Sequence, residues 1–444
     1  MTENAATRLL ARVAKVEPEE TPAFFTAFLL FFCVLGGYFA VRPVRETVST
    51  ILGREATANL FMVTLLASIA IVPIYGALCA RFRRSTFLTA VYAIVAIALA
   101  GFGLLLGANE GNVLVGKSFF VFISVVNLFM VSVFWSFLLE LFNPGQTKRL
   151  FGAIAAGGTA GALLGPFLTS LLVESIGNAG ILIFGASLFV LAIVFQRILI
   201  RIGSSSDWTG SSSAASLARP VGGNPFAGFT LVLRSPYLLG IALFVFLLAS
   251  ATTFLYLEQT QVVRETFQDT EQRTIVFSRI DFTVQSLTIL SQIFFTGRLA
   301  SKFGIGVLIT MVPIAMIGGF LALAASGTFA VLVVVMIIRR VGEYAFVKPA
   351  REMLFSRVDT ETKYKAKNLV DVPVYRGGDA LVGQVDNALT GAGWSGSAIA
   401  LVGAVVAFAW AVNGFILGRA RREAEAAAPS ERTGLTGVAH TTGR

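Results

Sequence analysis

Stretches of about 20 apolar residues recur along this chain, broken by short polar or glycine-bearing interruptions. At 1.5 Å per helical residue, each is long enough to cross roughly 30 Å of hydrocarbon. The pattern predicts twelve membrane-spanning helices, near 22–41, 57–80, 86–107, 113–139, 151–173, 180–200, 236–257, 275–297, 305–325, 328–347, 374–392 and 396–418. The eleventh, VYRGGDALVGQVDNALTGA, is the least apolar because it holds Arg376, Asp379 and Asp386. Such groups are expensive in lipid, so they are expected to face a polar interior. The chain therefore reads as an all-α, polytopic membrane protein whose first partner is the lipid bilayer.

Composition agrees: 55% of the 444 residues are hydrophobic and 14% are charged, against about a quarter charged in soluble domains. Basic residues that stay in short loops mark the cytoplasmic side. With the N-terminus inside, 23 Lys and Arg fall in inner segments or the span ends beside them and six in outer ones, counted the same way. Both termini are thus expected in the cytoplasm, with the protein in a bacterial inner membrane. The net charge of +10 is then a topology signal, and no nucleic-acid partner is implied. The two cysteines, Cys33 and Cys79, lie inside apolar spans, and the single histidine is His440. No metal, cofactor or enzymatic activity is expected from that inventory.

Polar punctuation divides the chain into five parts. Residues 1–21 contain TRLLARVAKV, a basic amphipathic stretch expected on the inner membrane surface. The first span follows EPEETP without a small-residue cleavage site, so it reads as a retained helix and not a signal peptide. A six-helix half, 22–200, is joined to a second, 236–418, by the linker 201–235, whose GSSSDWTGSSSAAS is flexible by composition. Residues 419–444 form a polar tail.

Two related phrases lie some three hundred residues apart, YFAVRPVRETV at 38–48 and YAFVKPAREML at 344–354. Helical spacing of i, i+4, i+7 puts Tyr38, Arg42 and Arg45 on one face, and Tyr344, Lys348 and Arg351 on another. Because these spans run in opposite directions, Arg42 and Arg45 are expected at the outer mouth and Lys348 and Arg351 at the inner one. Arg339 and Arg340 fall near the middle of the tenth span, with Glu343 as an intrahelical partner. They either contact an anionic substrate or form salt bridges with each other's neighbours, including Arg279 and Asp281 on the eighth span.

Two halves of six helices with a long linker, and end-of-helix phrases repeated between them, resemble the major facilitator superfamily, whose halves contain inverted three-helix repeats. GALCARFRRS (76–85) and GRLASKFGIG (297–306) resemble that superfamily's cytoplasmic loops, with Ala80 where an acid is usual. FWSFLLELFNPGQTKRLFGAIAAGGTAGALLGP (134–166) and REMLFSRVDTETKYKAKNLVDVPVYRGG (351–378) look more narrowly like the nucleotide-transporter family of ATP:ADP antiporters. Gln146 departs from that family by standing where an acid is usual before the Lys-Arg pair. The resemblance implies exchange of a small anionic solute of nucleotide type by alternating access. It also implies Arg45, Glu46, Lys148, Arg149, Glu258, Lys365 and Lys367 as binding or coupling residues, beside Arg42, Arg339, Arg340, Glu343, Lys348 and Arg351. An ion-coupled facilitator for another small molecule is the alternative, with Glu343, Asp371, Asp379 and Asp386 as acids able to carry a proton. A non-transporting membrane scaffold is a third.

GNVLVGKS (111–118) fits the phosphate-loop pattern letter for letter. An apolar span precedes it where that pattern needs a strand, so no nucleotide-cradling role is assigned to Lys117. The glycines of AAGGTAGALLG (155–165) read as small residues for close helix packing.

Overall fold

The computed structural model describes residues 16–81, 84–109, 111–205, 227–355, 366–367 and 369–426. The basic stretch 8–15, most of the linker, residues 82–83 of the first loop phrase, Lys365 and the tail beyond 426 lie outside the described residues. The described chain is nearly all helix. Helix α1 is Thr21–Leu52, α2 Arg54–Arg81, α3 Arg84–Ala108 and α4 Val113–Leu141. Pro144–Ser205 is continuous in hydrogen bonding but turns back at Gly177, whose φ of 66° suits only a residue without a Cβ. It supplies α5 (144–176) and α6 (178–205). A short helix, Ala227–Arg234, leads into α7, Pro236–Thr266. The segment 270–326 likewise turns back at Gly304, φ 77°, giving α8 (270–303) and α9 (305–326). Helix α10 runs from Phe329 to Leu354 through a π-helical turn, Glu343–Val347. Helix α11 joins the π-helical turn Val370–Val374 to Tyr375–Gly391, and α12 is Gly396–Ala426.

Each predicted span is thus a helix, and the boundaries differ where charge enters. Helix α1 continues eleven residues past the predicted end at 41, through Pro43 and the Arg42, Arg45 and Glu46 side chains. Hydropathy stops at the first charge, whereas the helix continues because the bundle interior supplies partners there. The lipid-facing surface is apolar, with Ile97, Leu104, Val405 and Phe408 each more than half exposed, as a chain bathed in hydrocarbon requires.

Each half has its own core. In the first, Phe31 stacks on Phe134 with ring centroids 4.1 Å apart; in the second, Phe244 packs on Trp410 at 5.6 Å. The tightest seam joins α1 to α5. A Cβ on Gly161 would lie 2.8 Å from the Gly36 amide nitrogen, and one on Gly165 2.7 Å from the Gly36 carbonyl oxygen. The backbones touch because no side chain intervenes, the close approach that small-x-x-x-small spacing permits. Across the halves, α8 packs on the α5/α6 pair and α11 on α2. A smaller cluster, Ala58, Leu60, Phe61 and Phe120 with Leu257, bridges the two halves.

Candidate functional site

A cavity of about 770 Å³ lies between the halves. Helix direction places its lining at the level of Phe31, Trp135, Ala155, Lys348 and Asp371, toward the face where α1 begins and α12 ends, called here the termini face. Tyr38, Arg42 and Arg45 of α1 and Tyr344, Lys348 and Arg351 of α10 all line it, so the two repeated phrases meet in one chamber. The expectation that they serve separate mouths is corrected. Ten helical residues follow Arg42, about 15 Å of rise, which sets Arg42 and Arg45 at the inner end of the cavity and not at the far rim.

Five cations (Arg42, Arg45, Lys348, Arg351 and Arg376) and two carboxylates (Glu343 and Asp371) line this space. Arg351 Nη2 lies 3.0 Å from Asp371 Oδ1. Arg376 donates to Asp379 Oδ2 at 3.3 Å and, across the halves, to the Ser124 carbonyl at 3.1 Å. The second Asp379 oxygen accepts from Thr253 at 2.9 Å. Lys348 rests over the Tyr344 ring at 5.5 Å and has no carboxylate within salt-bridge distance among the described residues. An excess of positive charge in a cavity with low-dielectric walls attracts anions.

Beyond the cavity, a buried network crosses the membrane middle around a chamber of about 30 Å³. Arg45 donates to Glu46 at 2.5 Å and to Ser124 Oγ at 3.3 Å. Arg42 Nε lies 3.6 Å from Glu46 and 3.9 Å from Asp281 across the halves. Arg340 pairs with Asp281 at 2.5 Å, and Arg339 with Glu343 at 2.8 Å and Thr252 at 3.0 Å. Glu46, Arg339 and Arg340 line the small chamber and not the large cavity. Of the two readings left open by sequence, the pairing geometry matches the interhelical salt bridge for Arg340. Its partner is Asp281 on α8, while Glu343, three positions along, is taken by Arg339. Arg279 turns outward and is exposed.

The far face is shut. Arg54, at the start of α2, grips both oxygens of buried Asp386 at 2.8 and 2.7 Å and reaches Glu258 at 2.9 Å. One guanidinium thereby ties the first half to α11 and α7, in the fork geometry that suits carboxylates. Around it, Thr47 and Thr274 share a hydrogen bond of 2.6 Å, Thr274 donates to Asn178 at 2.6 Å, and Arg273 donates to Thr50 at 3.1 Å. A second cleft, about 930 Å³, lies outside this closure and includes Glu258 and Lys117. Lys117 sits one turn into α4, where Asn112 caps the helix by accepting from the Leu114 and Val115 amides. The phosphate-loop lettering is thus a helix start.

The remaining sequence candidates lie at the termini face. Arg149 reaches Glu20 at 2.8 Å and Glu17 at 3.1 Å, and Gln146 donates to the same Glu20 at 3.0 Å. An acid at 146 would face Glu20, so the departure to Gln has a local reason. Lys148 is exposed, and Lys367 pairs with Glu352 at 2.7 Å. None of Lys148, Arg149, Glu258 and Lys367 lines the large cavity. Sequence reasoning missed Arg54, which looks like any loop arginine until Asp386 arrives from 332 residues away. It also missed Trp135 and Phe31, which hydropathy counts only as apolar.

The family model described as Major Facilitator Superfamily matches residues 27–359. ADP,ATP carrier protein 1 of Chlamydia muridarum (strain MoPn / Nigg) is 23% identical over 419 residues, covering 79% of this chain and 78% of that protein. The protein of the same name from Chlamydia trachomatis serovar D is 22% identical, with 79% of each chain covered. Among solved structures, the nucleoside transporter NupG superposes with a TM-score of 0.58 at 16% identity, over 90% of this chain and 98% of its own. A bacterial homologue of the iron transporter ferroportin, in an inward-facing state, gives 0.61 at 13% identity, over 88% and 98%.

Proposed function

Because the chain belongs to the major facilitator superfamily and is a membrane transporter of that type, we propose that it exchanges an anionic, phosphate-bearing metabolite of nucleotide type by alternating access. The carrying observation is the charge balance of the central cavity: five cations against two carboxylates, with Lys348 lacking an acidic partner among the described residues. Phosphate oxygens suit this lining, since arginine presents a planar fork of donors and lysine a compact charge. The resemblance to the Chlamydia carriers supports a nucleotide over an inorganic anion. With basic loops inside, the termini face is cytoplasmic and the closed far face is periplasmic, so the conformation is inward-facing. Substrate would enter from the cytoplasm and draw Lys348, Arg351 and Arg376 toward it. Closure of the termini face would then accompany release of Arg54 from Asp386 and Glu258.

The test is a thermal-shift screen of nucleotides, sugar phosphates and carboxylates on purified protein, followed by exchange in liposomes. A ligand that binds only the folded state must raise stability. The expected result is stabilisation by phosphate-bearing anions and by nucleotides most, with uptake of labelled nucleotide only into liposomes preloaded with unlabelled nucleotide. Stabilisation confined to uncharged solutes would overturn the anion assignment, and uptake independent of internal nucleotide would overturn exchange.

A further inference from the structure

The two walls of the cavity differ in chemistry. The second half contributes the charges Glu343, Lys348, Arg351, Asp371 and Arg376, with Tyr344 and Tyr375 among them. The first half contributes, over the same depth, aromatic rings and small residues, among them Phe31, Trp135, Ala155, Gly158, Thr159 and Ala162, with Arg42 and Arg45 at the inner end. An inorganic anion would use the first of these walls and leave the second unexplained. A substrate with two ends uses both.

Trp135 is fixed for such a role. Phe31 and Phe134 meet it edge-on, with centroids at 5.3 and 5.0 Å and interplanar angles of 68° and 73°, and Phe151 lies at 5.1 Å, tilted by 39°. Three rings brace the indole, and none of them stacks parallel on it. Beside it, α5 passes with Gly158, where a Cβ would crowd the Phe31 ring and come within 2.7 Å of Leu35. Thr159 is exposed in the cavity. The wall is therefore a braced indole flanked by small residues. Stacking on a pre-positioned ring costs little entropy and tolerates different bases, because every base has a π-face.

We propose that Trp135, braced by Phe31 and Phe151, is a specificity-determining shelf that stacks a planar heteroaromatic ring of the substrate, while the cations of the second half hold its phosphate end. This rests on the anion reading given above and adds the feature that separates a nucleotide from other phosphates.

The experiment compares binding of inorganic pyrophosphate with that of adenosine, guanosine, cytidine and uridine diphosphates to the purified full chain by calorimetry. Wild type, Trp135→Phe and Trp135→Leu are used, with thermal unfolding as the check on folding. In wild type, the best nucleoside diphosphate is expected to bind about ten-fold tighter than pyrophosphate, the scale of one stacked base. Trp135→Leu should abolish that advantage and leave pyrophosphate affinity unchanged, and Trp135→Phe should keep most of it. Equal wild-type affinities, or a Trp135→Leu that weakens pyrophosphate and nucleotide alike, would overturn the shelf. So would Leu and Phe variants that behave identically, since apolar contact would then suffice. Wild type that binds neither probe would instead remove the anion reading itself, and the shelf with it.

Discussion

Arg54→Ala should open the far face. The wild-type side chain makes two bonds to Asp386 and one to Glu258, all between 2.7 and 2.9 Å, and Asp386 has no solvent exposure. Removing one partner of a buried ion pair costs about 3–5 kcal/mol, most of it from the charge left behind. That cost falls on the closed arrangement alone, because Asp386 and Glu258 become hydrated once the far face opens. At 1.36 kcal/mol per ten-fold, the population ratio shifts by a factor of roughly 150 to 5,000. This is comparable to the gap of a few kcal/mol that typically separates two functional conformers, enough to change which one dominates. The assay is maleimide labelling in a background with Cys33 and Cys79 replaced by Ala. A cysteine at Thr47, buried in the far-face closure, should react slowly with Arg54 present and rapidly with Arg54→Ala; one at Thr159, in the termini-side cavity, should change in the opposite sense. Adding Asp386→Asn to Arg54→Ala removes the stranded charge, so it should return both labelling rates most of the way toward wild type. Unchanged labelling at both positions in a folded Arg54→Ala protein would refute the gate.

Lys348→Ala is expected to weaken anion binding about ten- to a hundred-fold, the worth of one hydrogen bond to a charged group. Its thermal unfolding should hold near the wild-type Tm because no buried carboxylate is stranded; a large fall in Tm would assign Lys348 to structure. Arg340→Ala should destabilise the fold by several kcal/mol by leaving buried Asp281 with only Arg42 at 3.9 Å, and Arg340→Ala with Asp281→Ala should recover most of it, as read in a double-mutant cycle of unfolding. Recovery with Glu343→Ala in place of Asp281→Ala would contradict the observed pairing. Gly161→Ala should separate α1 from α5 at a cost of about 1–3 kcal/mol, the usual range for an overpacked contact, visible as a lower Tm; wild-type stability would mean the seam has slack.

The helix pattern was legible because lipid imposes one solution on backbone polarity, and twelve apolar stretches report it directly. The equivalence of Tyr38-Arg42-Arg45 and Tyr344-Lys348-Arg351 was also legible, since helical period alone puts each set on one face. Their depth was not. Helix α1 runs on to Leu52, and only the partners Ser124 and Asp281, from other helices, explain why charges can continue inside the bundle. Pairing across the sequence was equally hidden. Arg340 had Glu343 nearby and an equally plausible Asp281 on another helix, and the choice depends on which way α8 faces. The Lys148 and Arg149 pair carried a family signal without a position, and geometry sets Arg149 against Glu17 and Glu20 just before α1 while Lys148 is exposed.

Beside the π-helical turns of α10 (Glu343–Val347) and α11 (Val370–Val374), α8 carries one at Gln292–Thr296, three among the described residues. All are in the second half, and each contributes a cavity residue: Gln292, Glu343 and Asp371. A π turn holds one residue more than the α turn it replaces, so each of these helices stores a residue of slack. Passing that residue along by one turn exchanges a few amide partners and rotates the residues it passes by about 100°, one residue's share of an α-helical turn. Under the proposed transport cycle, such a shift in α10 would turn Lys348 and Arg351 relative to Arg339 and Arg340 without unwinding the helix. The first half, fastened backbone to backbone along α1 and α5, has no such slack at its seam. On that reading the first half would serve as the anvil and the second as a set of rotors.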